Sequence, residues 1–146
     1  MASSHDVLAI DAVVNIWTKE TNRYRPPRDE KYPLILLSPA TEKTINSTLG
    51  EFNLLSPKLN MNTADAKARG IRNGDVVRAY NDLGEVHVDV QVADSIRPGV
   101  VSLPKGMWFD SSRNRSTVTA LVADDLSAVG AGACFNDARV EVAKLG

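Results

Sequence analysis

The feature that most constrains the fold is the segment Glu85–Val92, in which polar and apolar side chains alternate at every position. Because successive side chains of a β-strand point to opposite faces, this alternation predicts a strand with one face made entirely of valine. The loop before it, residues 81–84, ends on glycine and is typical of a hairpin that begins with an apolar strand at Val76–Tyr80. The centre of the chain is therefore predicted to be β-structure.

A short helix is predicted immediately before this hairpin. Thr63 is expected to cap a helical run over residues 64–69, because its hydroxyl can accept a backbone N–H of the first turn. Gly70 is expected to end the run. Asn73 and Gly74 then supply a turn in which positive φ is tolerated.

Four further strands are predicted at Leu34–Leu37 and at residues 59–61, 100–103 and 139–142. The first of them is apolar at every position and is expected to be buried on both faces. Six short strands with short helices in their connections suit a closed barrel, because closure removes the unpaired edges that short strands would otherwise expose. The predicted fold is a mainly β, six-stranded barrel.

The first 31 residues are predicted to form an N-terminal segment and a connector, and residues 32–146 the barrel. Apolar residues in 7–17 recur at helical spacing, although the β-branched residues there argue equally for a strand, and we favour the helix. Residues 22–31 are polar and contain the pair Pro26-Pro27, which predicts an extended connector.

Composition limits the function. Seventeen basic and eighteen acidic side chains give a net charge of -1, so the chain lacks the basic excess that broad nucleic-acid binding requires. The single cysteine, Cys134, cannot form an internal disulfide, and the two histidines, His5 and His87, are too far apart in sequence to suggest a metal site. No apolar run reaches the roughly 18 residues of a membrane helix, and residues 1–7 do not resemble a secretory signal, so a cytoplasmic location is expected.

The sequence contains no recognisable catalytic constellation. It has no paired carboxylates, no nucleophile with an adjacent base and no phosphate loop of the G-x-x-x-x-G-K type, so no catalytic residues are predicted. His87 lies on the polar face of its strand and is expected to be solvated, as are Arg113 and Arg115. Trp108 is expected either to cap the core or to pack on a cofactor ring.

The motif N-x-x-D-A-x-x-x-G-I-x-x-G-D-x-V resembles the C-terminal dinucleotide-binding domain of molybdopterin oxidoreductases, the family of formate dehydrogenases, dimethyl sulfoxide reductases and nitrate reductases. Further along the chain it is followed by an alternating strand, then by I-x-P-G-V-V and then by G-x-W. The connector Y-x-P-P and the terminal G-A-G-A-C-F-N-D, with the acidic turn at Asp124 before it, are similar to the family as well. The matching residues of the central motif are Asn62, Asp65, Ala66, Gly70, Ile71, Gly74, Asp75, Val77, Gly84, Val86, Ile96, Pro98, Gly99, Val100, Val101, Gly106 and Trp108.

The resemblance covers about residues 24–142 and implies a double-psi β-barrel of the aspartate-decarboxylase-like kind. It further implies a cofactor-binding domain or small subunit that holds a molybdopterin guanine dinucleotide, with molybdenum or tungsten bound outside this domain. The metal ligand and an iron–sulfur centre would belong to a partner portion, the remaining catalytic domains or a large subunit, and the chain alone is not expected to be active. The implied cofactor-binding residues are Ser38, Thr41, Lys43, Thr44, Asn46 and Ser47, then Lys105, Gly106, Met107 and Trp108, and finally Thr119 and Asn136.

A second function remains open from the residues. A double-psi barrel can serve as a protein-interaction adaptor without a cofactor, as in the amino-terminal domains of certain ATPases. This alternative explains G-I-x-x-G-D-x-V equally well, but it does not account for the Y-x-P-P connector or the G-A-G-A-C-F-N-D segment.

Overall fold

The computed structural model describes residues 30–42, 44, 47, 56–124 and 138–146. Six strands form the barrel: β1 Leu34–Leu37, β2 Lys58–Met61, β3 Val76–Tyr80, β4 Glu85–Val92, β5 Val100–Ser102 and β6 Arg139–Lys144. One helix, α1 Thr63–Ala68, lies between β2 and β3, and two short 3₁₀ helices span Phe109–Ser111 and Val118–Leu121. The predicted strands are all present, with bounds that differ by no more than two residues.

The strands close into a barrel in the order β1-β5-β2-β4-β3-β6, which confirms the predicted architecture. The pairs β1–β5 and β2–β4 are parallel, and the other neighbours are antiparallel. Exchanging β1, β2 and β3 for β4, β5 and β6 reproduces the same cycle of neighbours. The barrel therefore consists of two topologically equivalent halves.

Strand direction decides which connections meet. Because β1 and β5 are parallel neighbours, the segments that follow them leave the same end of the barrel, which we call the loop end. Because β2 runs antiparallel to β5, α1 lies at the opposite end, together with the turn over residues 93–99 that joins β4 to β5. We call this second end the helix end.

The core fills the barrel interior with the inward side chains of the strands. Val86, Val88 and Val90 of β4 are almost fully buried, which confirms the predicted valine face. The β1 strand differs from its prediction: Leu34 and Leu36 are buried, but Leu37 is 40% exposed. In a closed barrel only the inward face of a strand meets the core, so an apolar sequence does not ensure burial on both faces.

The predicted cap of α1 was wrong by one residue. The side chain of Asn62 caps the helix by accepting the backbone N–H of Ala64 at 2.8 Å, whereas Thr63 is the first helical residue and is exposed. Asn62 also donates from Nδ2 to the carbonyl of Ile96 at 2.7 Å. An amide can make both bonds at once and a threonine hydroxyl cannot reach both partners, so the tertiary contact selects Asn62. Gly70 follows the helix with φ +65°, as predicted.

The expectations for residues 7–17, for most of the connector and for Cys134 lie outside the described residues, and the division at residue 31 stays a prediction. Within the described ranges, no helix has the length and apolar character needed to cross a membrane.

Candidate functional site

Two loops meet at the loop end of the barrel. In the described part of the chain, the first loop comprises residues 38–42, 44 and 47 after β1. The second loop comprises residues 104–108 after β5. The β1–β5 pairing continues beyond the strands, because Leu103 N–H donates to the carbonyl of Leu37 and Lys105 N–H to that of Pro39, both at 3.0 Å. The described members of the two predicted groups, on separate stretches of sequence, therefore lie on neighbouring loops.

The two loops approach closely at Gly106. Its φ is +81°, and a Cβ at this position would lie 1.9 Å from the carbonyl oxygen of Thr44. Only glycine satisfies both conditions, since any side chain would push the first loop away. A second tie follows two residues later, where the indole N–H of Trp108 donates to the carbonyl of Ser47 at 3.0 Å.

The first loop has its own hydroxyl-based turn. Thr41 and Thr44 each accept the backbone N–H of the other at 3.2 Å, and their hydroxyl oxygens are 2.7 Å apart. Thr44 is buried, so its hydroxyl shapes the loop as well as lining the space beside it. The dense run of threonine and serine in the sequence is thus partly explained by local structure.

The first cavity is a space of about 480 Å³ between the first loop, the second loop and the outer face of β2 and β4. Three predicted residues line it: Thr41, Thr44 and Met107. The other described lining residues were not predicted as site residues; they are Glu42, Ser56, Pro57, Lys58, Asn60, Gln91 and Pro104. Asn60 and Gln91 occupy outward positions paired across β2 and β4. Alternation alone assigns such positions to solvent, and only the pairing register places them in one wall.

The second cavity, of about 360 Å³, lies between the second loop and the 3₁₀ helix Val118–Leu121. Predicted residues Ser38, Lys105 and Thr119 line it. Val118, Val122, Ala123 and Asp124 complete its described lining and were not predicted as site residues. The lining combines apolar side chains with two hydroxyl groups, and Lys105 and Asp124 bring opposite charges to it. For Asp124, the available signal was its place in the acidic turn that resembles the family.

The structure does not place every predicted residue on a cavity wall. Gly106, Ser47 and Trp108 join the loops but are not among the residues that line either cavity. Trp108 is 44% exposed, so the alternative that it caps the core was wrong, and its contact with a cofactor ring stays a prediction. Lys43, Asn46 and Asn136 lie outside the described residues.

Three predicted surface residues each contact a carboxylate. Nε2 of His87 is 2.9 Å from a carboxylate oxygen of Glu85, so solvation alone does not describe this ring. Arg113 pairs with Asp89 at 2.8 Å and the highly exposed Arg115 with Asp110 at 3.3 Å. Of these contacts, the Arg113–Asp89 pair joins the 109–116 segment to the barrel, because His87–Glu85 lies within β4 and Arg115–Asp110 within the segment.

The carboxylates with a displaced pKa do not line either cavity. Hydrogen bonds from Lys31 and then Tyr32 lower the pKa of Asp82, and the ammonium of Lys144 is the largest cause of the lowered pKa of Asp75. Among the described residues, no group of three or more histidine, cysteine, aspartate or glutamate side chains could hold a metal ion. Hydroxyl, amide, ammonium and carboxylate groups line the two cavities at the loop end.

The fold is a double-psi β-barrel with two cavities at its loop end. Residues 34–139 match the family model described as "Molydopterin dinucleotide binding domain". The chain belongs to this family. The match confirms the resemblance noted in the sequence, and it favours dinucleotide binding over the adaptor alternative.

The matching relatives are oxidoreductases. The chain is 38% identical over 104 residues to the dimethyl sulfoxide reductase DmsA of Escherichia coli K12, covering 68% of this chain and 13% of that protein. It is 36% identical over 107 residues to trimethylamine-N-oxide reductase 1 of the same strain, covering 67% of this chain and 13% of the relative. The chain thus spans only 13% of the length of either reductase.

A solved structure supports the fold. The acetylene hydratase from Pelobacter acetylenicus superposes with a TM-score of 0.64 over 90% of this chain and 20% of its own chain. The sequence identity is 14%, so this likeness concerns the fold alone.

Proposed function

We propose that this chain holds a molybdopterin guanine dinucleotide at the loop end of its barrel, as the cofactor-binding part of a larger oxidoreductase. The observation that carries the proposal is the junction of the first and second loops, where the Gly106–Thr44 contact brings predicted residues from both loops to adjoining cavities. The family match supports a molybdopterin dinucleotide in general. The guanine form is the finer part of the proposal.

The residues present fit such a ligand. A dinucleotide consists of two bulky ring-bearing halves joined by a charged pyrophosphate, and the loop end offers two cavities with a lysine at the rim of each, Lys58 and Lys105. The carboxylate of Asp124 can accept N–H groups of a base, and the valines of the second cavity can contact the base face. The glycine at 106 brings the backbone of the second loop close to the first without a side chain between them.

The cofactor and the side chains of this chain would have different roles. When bound, the cofactor supplies the redox chemistry through its metal, molybdenum or tungsten, which would be ligated outside this domain. The residues of this chain bind and orient: Ser38, Thr119 and Asn60 present hydrogen-bonding groups, and Lys105 presents a cation. No catalytic residue is assigned to this chain, and alone it is not expected to turn over a substrate.

The partner in this proposal is the remaining catalytic portion of the oxidoreductase, as domains of one chain or as a large subunit, which would carry the metal ligand and an iron–sulfur centre. The greater length of the relatives, in which the aligned residues make up only 13%, supports it. A cytoplasmic location is proposed for the assembly. Purification of the native protein under non-denaturing conditions, followed by mass and metal analysis, tests both the size and the metal content of the complex.

The cofactor site is tested by an amide chemical-shift titration of the 146-residue chain with GDP, with AMP as the control ligand. We expect GDP alone to shift the backbone amides of Ser38, Lys105 and Thr119 and the indole N–H of Trp108. Equal shifts with AMP would contradict recognition of guanine. No shifts at millimolar GDP would contradict a guanine site formed by this chain.

A matched pair of variants tests which end of the barrel binds GDP. Lys105→Met removes a cation at the second cavity, whereas Lys67→Met removes an exposed cation from α1 at the helix end. Since a charge-assisted hydrogen bond is worth about 1–2 kcal/mol at a partly exposed site, we expect Lys105→Met to weaken GDP binding about tenfold and Lys67→Met to leave it unchanged. Equal weakening by both variants would indicate general charge attraction instead of a site at the loop end.

A further inference from the structure

One side chain joins three segments beside the second cavity. Asn81 lies in the hairpin loop between β3 and β4, and its Oδ1 accepts the backbone N–H groups of Leu83 at 3.0 Å and Gly84 at 3.3 Å. Its Nδ2 donates to the carbonyls of Leu121 at 2.8 Å and Arg139 at 3.0 Å. A carboxamide has two donor hydrogens and two acceptor positions on its oxygen, so all four are in use.

A second contact shows that the hairpin packs tightly on the same helix. A Cβ at Gly84 would lie 2.9 Å from the carbonyl oxygen of Ala120, which leaves no room for a side chain. The 3₁₀ helix itself is short, and its end is closed by a long bond of 3.4 Å from Val122 N–H to the carbonyl of Thr119. Because so short a helix has little stability of its own, its position depends on what it packs against.

This helix forms part of the wall of the second cavity. Val118 and Thr119 belong to it, and Val122 follows directly. Leu121, whose carbonyl accepts from Asn81, is fully buried and fixes the helix to the core. We propose that Asn81 is a positioning residue for the second cavity, which holds the wall at Val118–Leu121 in place for a bound nucleotide without lining the cavity itself. The part that concerns the nucleotide rests on the proposed function.

The neighbouring residue provides a matched control. Asp82 belongs to the same hairpin loop, but its carboxylate accepts from the hydroxyl of Tyr32 at 2.7 Å and pairs with Lys31. Asn81→Asp and Asp82→Asn are isosteric changes at adjacent positions. Asn81→Asp removes both donors and places a carboxylate against two carbonyl oxygens, whereas Asp82→Asn leaves the contacts of Asn81 intact.

Two measurements on the full chain test the proposal: amide hydrogen exchange and GDP titration at a temperature where every variant is folded. For Asn81→Asp we expect exchange at Ala120 and Val122 to become about tenfold faster, with exchange at Val88 in the barrel changed much less. GDP binding of the folded protein should weaken about tenfold, and Asp82→Asn should change neither quantity. Gly84→Ala crowds Ala120 and keeps the Asn81 side chain. It should also speed local exchange and weaken GDP binding. This second variant keeps the proposal testable if Asn81→Asp does not fold.

Each opposing outcome has a distinct meaning. Equal acceleration at Ala120, Val122 and Val88 would show that Asn81 stabilises the whole barrel and would overturn the positioning role. Faster local exchange with unchanged GDP affinity would overturn it as well, since the wall would then not matter to the nucleotide. If the wild-type chain binds no GDP, the proposed function fails, whereas the exchange data still decide whether Asn81 holds the cavity wall.

Discussion

Polar side chains close connections at both ends of the barrel, and at the loop end some of them also line the two cavities. At the helix end, Asn62 donates to the carbonyl of Ile96 and Asp65 accepts the N–H of Gly99 at 2.7 Å, so side chains beside α1 close the turn that joins β4 to β5. At the loop end, polar side chains such as Lys105 and Thr119 line cavities. Since the two halves of the barrel are topologically equivalent, the fold alone does not create the site.

The difference lies in the length and packing of equivalent connections. The β4–β5 connection spans residues 93–99 and is anchored to neighbouring segments, whereas the equivalent β1–β2 connection spans residues 38–57 and borders the first cavity. A short connection can satisfy its backbone groups with nearby side chains. Thr44 and Ser47 of the longer connection contact the second loop at Gly106 and Trp108, and the first cavity lies beside these contacts.

Two glycines with nearly the same φ, one at each end of the barrel, are expected to differ most in their effect on stability. Gly106 at the loop end has φ +81° and Gly99 at the helix end has φ +80°, but only Gly106 would bring a Cβ against another segment. We expect Gly99→Ala to lower the free energy of unfolding by about 1–2 kcal/mol, from backbone strain alone, and Gly106→Ala by about 3–5 kcal/mol. Urea denaturation measures both. Equal losses would show that the loops are not in contact at Gly106.

The helix end is tested by the cap of α1. Asn62→Ala removes both the cap and the bond to Ile96, so we expect it to lower the free energy of unfolding by about 2 kcal/mol. Thr63→Ala, at the residue that the sequence pattern favoured, should change it by less than about 0.5 kcal/mol. A larger effect of Thr63→Ala than of Asn62→Ala in the same urea experiment would indicate that Thr63 caps the helix.

A smaller effect is expected from the ion pair that holds α1 to β6. Arg69 donates from Nε to Glu141 at 2.5 Å and from a second nitrogen at 3.2 Å, and both side chains are partly buried. Glu141→Gln should lower the free energy of unfolding by about 1 kcal/mol. Asp110→Asn breaks the exposed pair with Arg115 near the loop end and should have no measurable effect on thermal unfolding. Equal effects would contradict the difference in burial.

The smallest expected effect concerns acid stability at the start of the barrel. The pKa of Asp82 is lowered from 3.8 by Lys31 and then Tyr32, so its contribution to stability is present above about pH 3.8 and is lost as the pH falls through the lower folded-state pKa. The melting temperature of the wild type should exceed that of Asp82→Asn by a constant small amount near neutrality, and the two should converge in acid. A difference that persists in strong acid would show that this carboxylate is not the group that titrates.

Much of the architecture could be predicted from local patterns. The alternation of β4 fixed its valine face, and the breaks at glycine and proline gave the bounds of the other strands, because period and turn chemistry are properties of neighbouring residues. The predictions failed where contacts between residues far apart in sequence determine the cap of a helix or the burial of a side chain. Asn62 caps α1 because it also reaches Ile96, and Leu37 is exposed because a closed barrel buries only one face of β1.

The same division holds for the candidate site. The predicted positions 38, 41, 44, 105, 107 and 119 line the two cavities, but their role in cofactor binding stays a prediction. The outward positions Asn60 and Gln91 were missed, because a polar residue on an alternating strand looks like a solvated one until pairing brings it beside a loop.

The sequence by itself determined the six strands, the positions of the turns and the resemblance to a dinucleotide-binding family, since periodicity and motif spacing are encoded along the chain. Only the tertiary structure decided that the first and second loops meet at Gly106, that the site is divided into two cavities and that Asn81 joins the hairpin to a cavity wall. These features depend on contacts between residues far apart in sequence, and closure of the barrel is what brings those residues together.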